Sequence, residues 1–399
     1  MKEIDVIFFV EHKDRELESI ELVKSKLTKE GISSIIVSTF FHLLHLFLYK
    51  PKVIIFPYLL SKKVWPVDFV YEIYGDDVYY INMNWEQLLS SASQEYKKPQ
   101  DEFVKNQVIQ LSWDKHFKNN FLLKYEVERK NIHISGNIAN EILHNLIDKK
   151  NEWRNNLAIE FNLDTSKKWL FMPMNYGWAF STDELIKGRI SSGYDEKIAW
   201  EYKKYSQKCL KEFILFIENL SENYNYEIII RPHPSITEEQ YKNEFEKEIN
   251  SIPQNITLNK SYSIREWIIA SDIVGSSWST SVWDAHNIGK PVFLFTPYPR
   301  PVWLDVWWNK EVNNIEQFDS YEEPKLNNET KLELDASDTL VKIITNYITR
   351  KEYSIKFRIS NKKLFLLSII RLVSCKYFKC KLFSKYTKPV QYDYFDIKV

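Results

Sequence analysis

One rhythm, played twice, restricts this chain more than anything else in it: short runs of β-branched and aromatic residues, each followed by a stretch with helical spacing. Residues 4–10 read as a first strand. Leu17, Ile20, Leu22, Val23 and Leu27 then recur with the period of an amphipathic helix that ends at Gly31, and residues 34–38 read as the next strand. Residues 40–49 look helical, Pro51 is expected to break that helix, and 53–57 follow as a third strand. Further strands are expected at 78–82, 107–112 and 131–135. The pattern turns polar and helical near 149–165, and a second series begins at 168–172 and continues at 226–231, 255–258, 272–276 and 291–296. Strands alternating with helices imply parallel sheets, so each series is an α/β unit of the Rossmann type.

Length agrees with two such units, because 399 residues exceed what one hydrophobic core usually organises. The predicted organisation is an N-terminal Rossmann-like domain over 1–160, a second over 161–351 and a basic tail over 352–399. Lys plus Arg and Asp plus Glu both number 54, so net charge gives no reason to expect nucleic acid as a partner. Residues 1–10 are one short apolar strand followed at once by charged residues, unlike a secretory signal. Three scattered cysteines fit a reducing compartment, and no apolar run approaches the roughly 18 residues of a bilayer span; the expectation is a cytoplasmic protein. The 13 Trp suit carbohydrate contact and an aromatic core equally.

Two segments carry chemistry, and both fall just past the carboxyl ends of expected strands, where ligands of such sheets bind. In Arg231-Pro232-His233-Pro234 the prolines fix φ on both sides of the histidine, so the imidazole is aimed; it can donate to a phosphate oxygen or protonate a leaving phosphate. In Ser276-Ser277-Trp278-Ser279-Thr280 hydroxyls and free N–H groups gather at the start of a helix, an electropositive end suited to an anion. One hydroxyl there is explained by N-capping, but hardly all of them. Asp284 lies a turn beyond Thr280, placed to accept from ribose hydroxyls. Asn175, after the first strand of the second series, is expected on a loop near the donor.

These segments, with Glu11-His12-Lys13-Asp14-Arg15-Glu16-Leu17, Asn84-Trp85-Glu86-Gln87, Ser135-Gly136-Asn137 and Trp278-Ser279-Thr280-Ser281, resemble the bacterial surface carbohydrate biosynthesis proteins, in order from about residue 3 to 297. That family is similar to GT-B glycosyltransferases of capsule and lipopolysaccharide synthesis. The resemblance implies two Rossmann-like domains facing across a cleft, with Arg231, His233, Pro234, Ser276, Ser277, Ser279, Thr280 and Asp284 binding the nucleotide of a sugar donor, here with a CMP link among the options. Asp284 stands where the family usually has Glu. The acceptor, a growing polysaccharide or glycolipid, would meet a carboxylate of the first domain, and the candidates are Glu11, Glu86 and Asp77.

No Asp-x-Asp, His-Glu-x-x-His, Cys-x-x-Cys or Walker A sequence occurs, so neither a metal nor a resident cofactor is expected. Other readings of the same motifs are a CDP-polyol phosphotransferase of the teichoic-acid kind, a sugar-nucleotide epimerase and a scaffold without activity. Ten Lys or Arg and no acid fall within 353–390, around an apolar run at 364–373, which predicts a peripheral contact with the anionic inner face of a membrane.

Overall fold

The structure is a computed structural model that describes residues 1–191, 193–233, 235–305, 311–319, 335–351 and 393–399, with the single positions 366 and 369. It contains two six-stranded, wholly parallel sheets. The first is built from β1 (Lys2–Val10), β2 (Ser34–Ser38), β3 (Tyr49–Phe56), β4 (Tyr79–Asn82), β5 (Ile109–Ser112) and β6 (Ile132–Ile134), in the order β2-β1-β3-β4-β5-β6. The second holds β7 (Lys168–Pro173), β8 (Tyr226–Arg231), β9 (Ile256–Leu258), β10 (Ile273–Ser276), β11 (Val292–Phe295) and β12 (Glu311–Val312), in the order β12-β11-β10-β7-β8-β9. Central strands covered on both faces must be apolar throughout, and Val6 to Val10 on β1 and Trp169 to Met172 on β7 are all buried.

The strand expected at 53–57 starts earlier, at Tyr49, so Pro51 lies inside β3, and only Leu43–Leu48 forms a short 3-10 helix. β3 tolerates the proline because β4 begins pairing at Val53; at Pro51 the strand has β1 on one flank and an open flank where a missing N–H costs no ladder bond. The two-residue β12 has no strong sequence signal and was not expected.

The chain divides into two compact units: residues 1–88, 97–141 and the described part of 333–399 form one, and 89–96 with 142–332 the other. The helix Ala336–Ile348, expected at the end of the second domain, thus belongs to the first unit. Its stripe of Leu340, Val341, Ile344, Tyr347 and Ile348 is buried there. Glu141 fixes its start, accepting from the Ser337 N–H at 2.7 Å and from its hydroxyl at 2.6 Å, and the Tyr347 hydroxyl meets His133 Nε2 at 2.8 Å.

The last residues cover the open edge of the first sheet. Ile36 on β2 and Lys398 exchange backbone hydrogen bonds of 3.0 and 3.3 Å, and Phe395 is buried against His42. The stretch 353–390, expected at a membrane, lies outside the described residues apart from 366 and 369. Among the described residues no helix is long and apolar enough to cross a membrane.

Gly275 marks the tightest point of the second core. A Cβ there would collide with the Phe293 ring and lie 2.6 Å from Met172 Sδ. Gly275→Ala is therefore expected to destabilise the fold by about 1–3 kcal/mol, the usual cost of overpacking, measured as a lower urea midpoint.

Candidate functional site

In the second sheet the chain order reverses direction between β7 and β10, the kind of position at whose carboxyl ends open parallel sheets bind ligands in a crevice. The pair is fastened at both extremities. At the amino end the Asp272 carboxylate accepts the Trp169 N–H at 2.9 Å and is held by Arg154 at 3.0 Å and Lys150 at 3.2 Å. At the carboxyl end the Ser276 hydroxyl donates to the Pro173 carbonyl. Ser276, expected to bind nucleotide, is wholly buried and spends its hydroxyl on this closure.

The other hydroxyls differ. Ser277 Oγ, also buried, accepts the Asn175 N–H at 3.3 Å and so joins the two loops at the crevice. Ser279 Oγ meets Ser281 Oγ at 2.9 Å and accepts the Ser281 N–H at 3.3 Å. Thr280 occupies the cap position of the helix Ser281–Asn287 but makes no side-chain cap bond. Burial pushes the Asp284 carboxyl up to about 6, against the opposing pull of Arg265. Arg231 turns away towards β9, donating to the Ser261 carbonyl at 3.0 Å, and Pro234 lies outside the described residues.

His233 leaves the end of β8. Its strand does not neighbour that of the serine turn, since β7 lies between β8 and β10. The histidine instead packs on the β7 loop: a Cβ on Gly177 would come within 3.1 Å of Nδ1 and 3.3 Å of Cγ. Ser235 fixes the ring, with its N–H 3.2 Å and its hydroxyl 2.8 Å from Nδ1. A backbone N–H can only donate, so Nδ1 is the acceptor and the neutral ring carries its proton on Nε2. The result is an imidazole oriented by its own loop with its proton on Nε2.

In the first sheet the corresponding reversal falls between β1 and β3. Glu11 follows β1, and its N–H donates to Glu16 Oε2 at 2.7 Å. Glu16 is 1 % exposed; burial raises its pKa, while Arg15, 2.7 Å away, pulls it down. Arg15 also reaches Glu86 Oε1 at 2.6 Å, and Lys97 pairs with the other Glu86 oxygen while lying 3.3 Å from the Tyr58 hydroxyl. Burial opposes ionisation of Glu86, but Lys97 and Arg15 outweigh it and hold the carboxyl at about 2. So acidic a group, with both oxygens engaged, is a poor base. It holds two cations in place.

Asp77 is corrected outright. It sits in the turn Gly75–Asp77 that precedes β4, at the amino end of a parallel sheet, opposite to Glu11 and Glu86. The segments Asn84-Trp85-Glu86-Gln87 and Ser135-Gly136-Asn137 are partly scaffolding. Asn84 donates to Gln110 Oε1 at 3.0 Å and to the Leu111 carbonyl at 3.1 Å, Gln87 accepts the Trp113 N–H at 2.7 Å, and Asn137 accepts the Ala139 N–H at 2.9 Å. Arg15 lay inside a segment already singled out and was missed as a cation, whereas Lys97 and Tyr58 carried no local signal. Among the described residues no three His, Cys, Asp or Glu side chains converge as a metal site.

Comparison with known proteins gives a consistent architecture. No protein-family profile matches the sequence, and no curated protein matches it. Among solved structures the chain is similar to the wall teichoic acid polymerase TagF soaked with CDPG, at 12% identity and a TM-score of 0.54 over 87% of this chain and 89% of that one. It is also similar to the UDP-GlcNAc 2-epimerases of Neisseria meningitidis and Methanocaldococcus jannaschii, each at 15% identity over 86% of this chain and 100% of the other, with TM-scores of 0.56 and 0.54. The fold is GT-B-like. At such identities the likeness covers the two parallel α/β units and not the chemistry.

The ion cluster predicts an acid response. A carboxyl lowered from about 4.5 to about 2 on folding adds stability that is complete above its unfolded pKa and is lost as pH falls through the folded value. Glu86→Gln is therefore expected to be less stable than the parent at pH 7, with the gap closing between about pH 4.5 and 2 in urea titrations. A gap that stays constant over that window would contradict the pairing.

Proposed function

We propose that the chain is a metal-independent glycosyltransferase that uses a nucleotide-activated sugar, with the donor phosphate bound at the β7–β10 crevice of the second unit. The carrying observation is His233: Ser235 holds Nδ1 as acceptor, so the neutral ring carries its proton on Nε2, the tautomer suited to donate to a phosphate oxygen. Ser279 and Thr280 contribute the rest of the phosphate shell, and buried Ser277 holds the Asn175 loop in place beneath it. Asp284 takes the ribose. Likeness to proteins whose names include UDP-GlcNAc and CDPG supports a nucleotide-linked substrate.

On the first unit, Glu11 acts as the base that activates the acceptor hydroxyl, and Glu86 holds Arg15 and Lys97, whose charges suit an anionic acceptor. The acceptor is a growing surface polysaccharide or glycolipid at the cytoplasmic face of the membrane. The basic residues of 353–390 supply the lipid contact, and changing them to Gln should abolish co-sedimentation with phosphatidylglycerol vesicles.

A second reading, transfer of a polyol phosphate from a CDP-linked donor, is favoured by the likeness to the teichoic acid polymerase. Product mass separates the two, since only this reaction adds a phosphate with each unit.

The test is calorimetric titration after a melting panel of CMP, CDP, UDP, GDP and their sugars. Loss of a charge-assisted hydrogen bond costs about 1.5–3 kcal/mol, so His233→Ala should bind the best nucleotide roughly ten- to a hundredfold more weakly, with an unchanged melting point of the free protein. Glu11→Gln should bind it normally and lose turnover. Parent-like affinity in His233→Ala would overturn the phosphate site.

A further inference from the structure

Beside the crevice the second unit builds an aromatic wall around one cation. Trp178 follows Gly177, the residue on which His233 rests. One face of its indole stacks on Tyr202, with centroids 4.7 Å apart and planes 12° apart. The guanidinium of Arg189, from the helix Asp183–Ser191, lies 3.8 Å from the indole centroid. Tyr194 closes another side at 5.2 Å from Trp178, and Tyr202 reaches Trp278 of the serine turn at 6.0 Å. The wall thus connects the two loops that leave β7 and β10.

Arg189 lacks the partner such a site normally supplies. Its Nη1 has no hydrogen bond among the described residues, while Arg189 as a whole is only half-buried. Nearby carboxylates are committed elsewhere: Asp183 to Lys203 at 2.6 Å, and Glu201 to the Trp303 indole N–H at 2.9 Å. The titratable groups that act on Arg189 are Tyr194 and Tyr202, and burial lowers its pKa. Stacking on an indole stabilises a guanidinium but satisfies none of its N–H donors, and a buried donor left unpaired is costly. A planar fork in an apolar frame matches a carboxylate.

We infer that Arg189, held against Trp178, recognises a carboxylate on the sugar of the donor, so that the enzyme transfers an acidic sugar. This rests on the donor site proposed above and adds to it the class of sugar. The donor phosphate is assigned to His233, which packs on Gly177, and the sugar carboxylate to Arg189, which stacks on the next residue, Trp178. A neutral sugar would leave the guanidinium unpaired, so discrimination comes from the missing bond as much as from the one formed.

Calorimetry with pairs that differ in this charge decides it: UDP-glucuronate against UDP-glucose, GDP-mannuronate against GDP-mannose, and CMP-N-acetylneuraminate against its methyl ester. For the nucleotide that binds, the parent should favour the acidic member by at least about tenfold. Arg189→Gln should erase that margin without changing affinity for the free nucleotide, and Arg189→Lys should keep part of it. A parent that binds both members equally, or a margin that survives in Arg189→Gln, overturns the inference and leaves the donor site standing. If no nucleotide or sugar nucleotide of any pair binds, the donor-site reading fails and the inference falls with it.

Discussion

The closure of β10 on β7 is the contact from which the rest of the second unit follows. Parallel strands of four and six residues share few ladder bonds, and this pair is reinforced by side chains at both ends. Asp272, carrying Arg154 and Lys150, accepts from Trp169, and Ser276 donates to Pro173. Two fixed ends leave the departing loops little freedom. Asn175 and Ser277 meet directly beyond the closure, and Gly177 offers the flat surface on which the His233 ring stands. Electrostatic sites work through donors that need no reorganisation when the ligand arrives, and a histidine held by its own loop meets that requirement.

A different economy governs the first unit. There the crevice between β1 and β3 holds two cations and two carboxylates, with Arg15 shared between Glu16 and Glu86. Buried charges are tolerated only when paired and hydrogen-bonded, so these residues fix one another. The outcome is a division of labour among acids that look alike in sequence. Glu86 is held near 2 by Lys97 and Arg15, Glu16 is buried beneath them, and Glu11 follows β1 with its backbone N–H tied to Glu16.

The strands were legible because β-branched runs bounded by polar turns have few other uses, and those at 34–38 and 226–231 have the bounds read from sequence. Pro51 misled because the register of its neighbours, not its own conformation, decides whether a strand accepts it. Residues 336–348 fell within the 161–351 domain because chain order gives no sign that a terminal helix packs back on the first unit. In the candidate site, motif reading singled out His233 and the serine turn but could not see that Ser276 bonds inward, that β7 separates the two motifs, or that Asp77 lies at the opposite end of its sheet. Lys97 and Arg189 act through Glu86 and Trp178, each eleven residues back, a separation that neither helix nor strand periodicity marks.

The central claim is that His233 is a pre-oriented donor to a nucleotide phosphate, and its ring nitrogens report on this directly. Long-range proton–nitrogen NMR on ring-labelled protein should show Nδ1 unprotonated and Nε2 protonated in the free state, as the Ser235 contacts require. Saturation with nucleotide should move the Nε2 signal and leave Nδ1 as an acceptor. A protonated Nδ1 in the free neutral ring, or ring signals unmoved by a bound nucleotide, would contradict it.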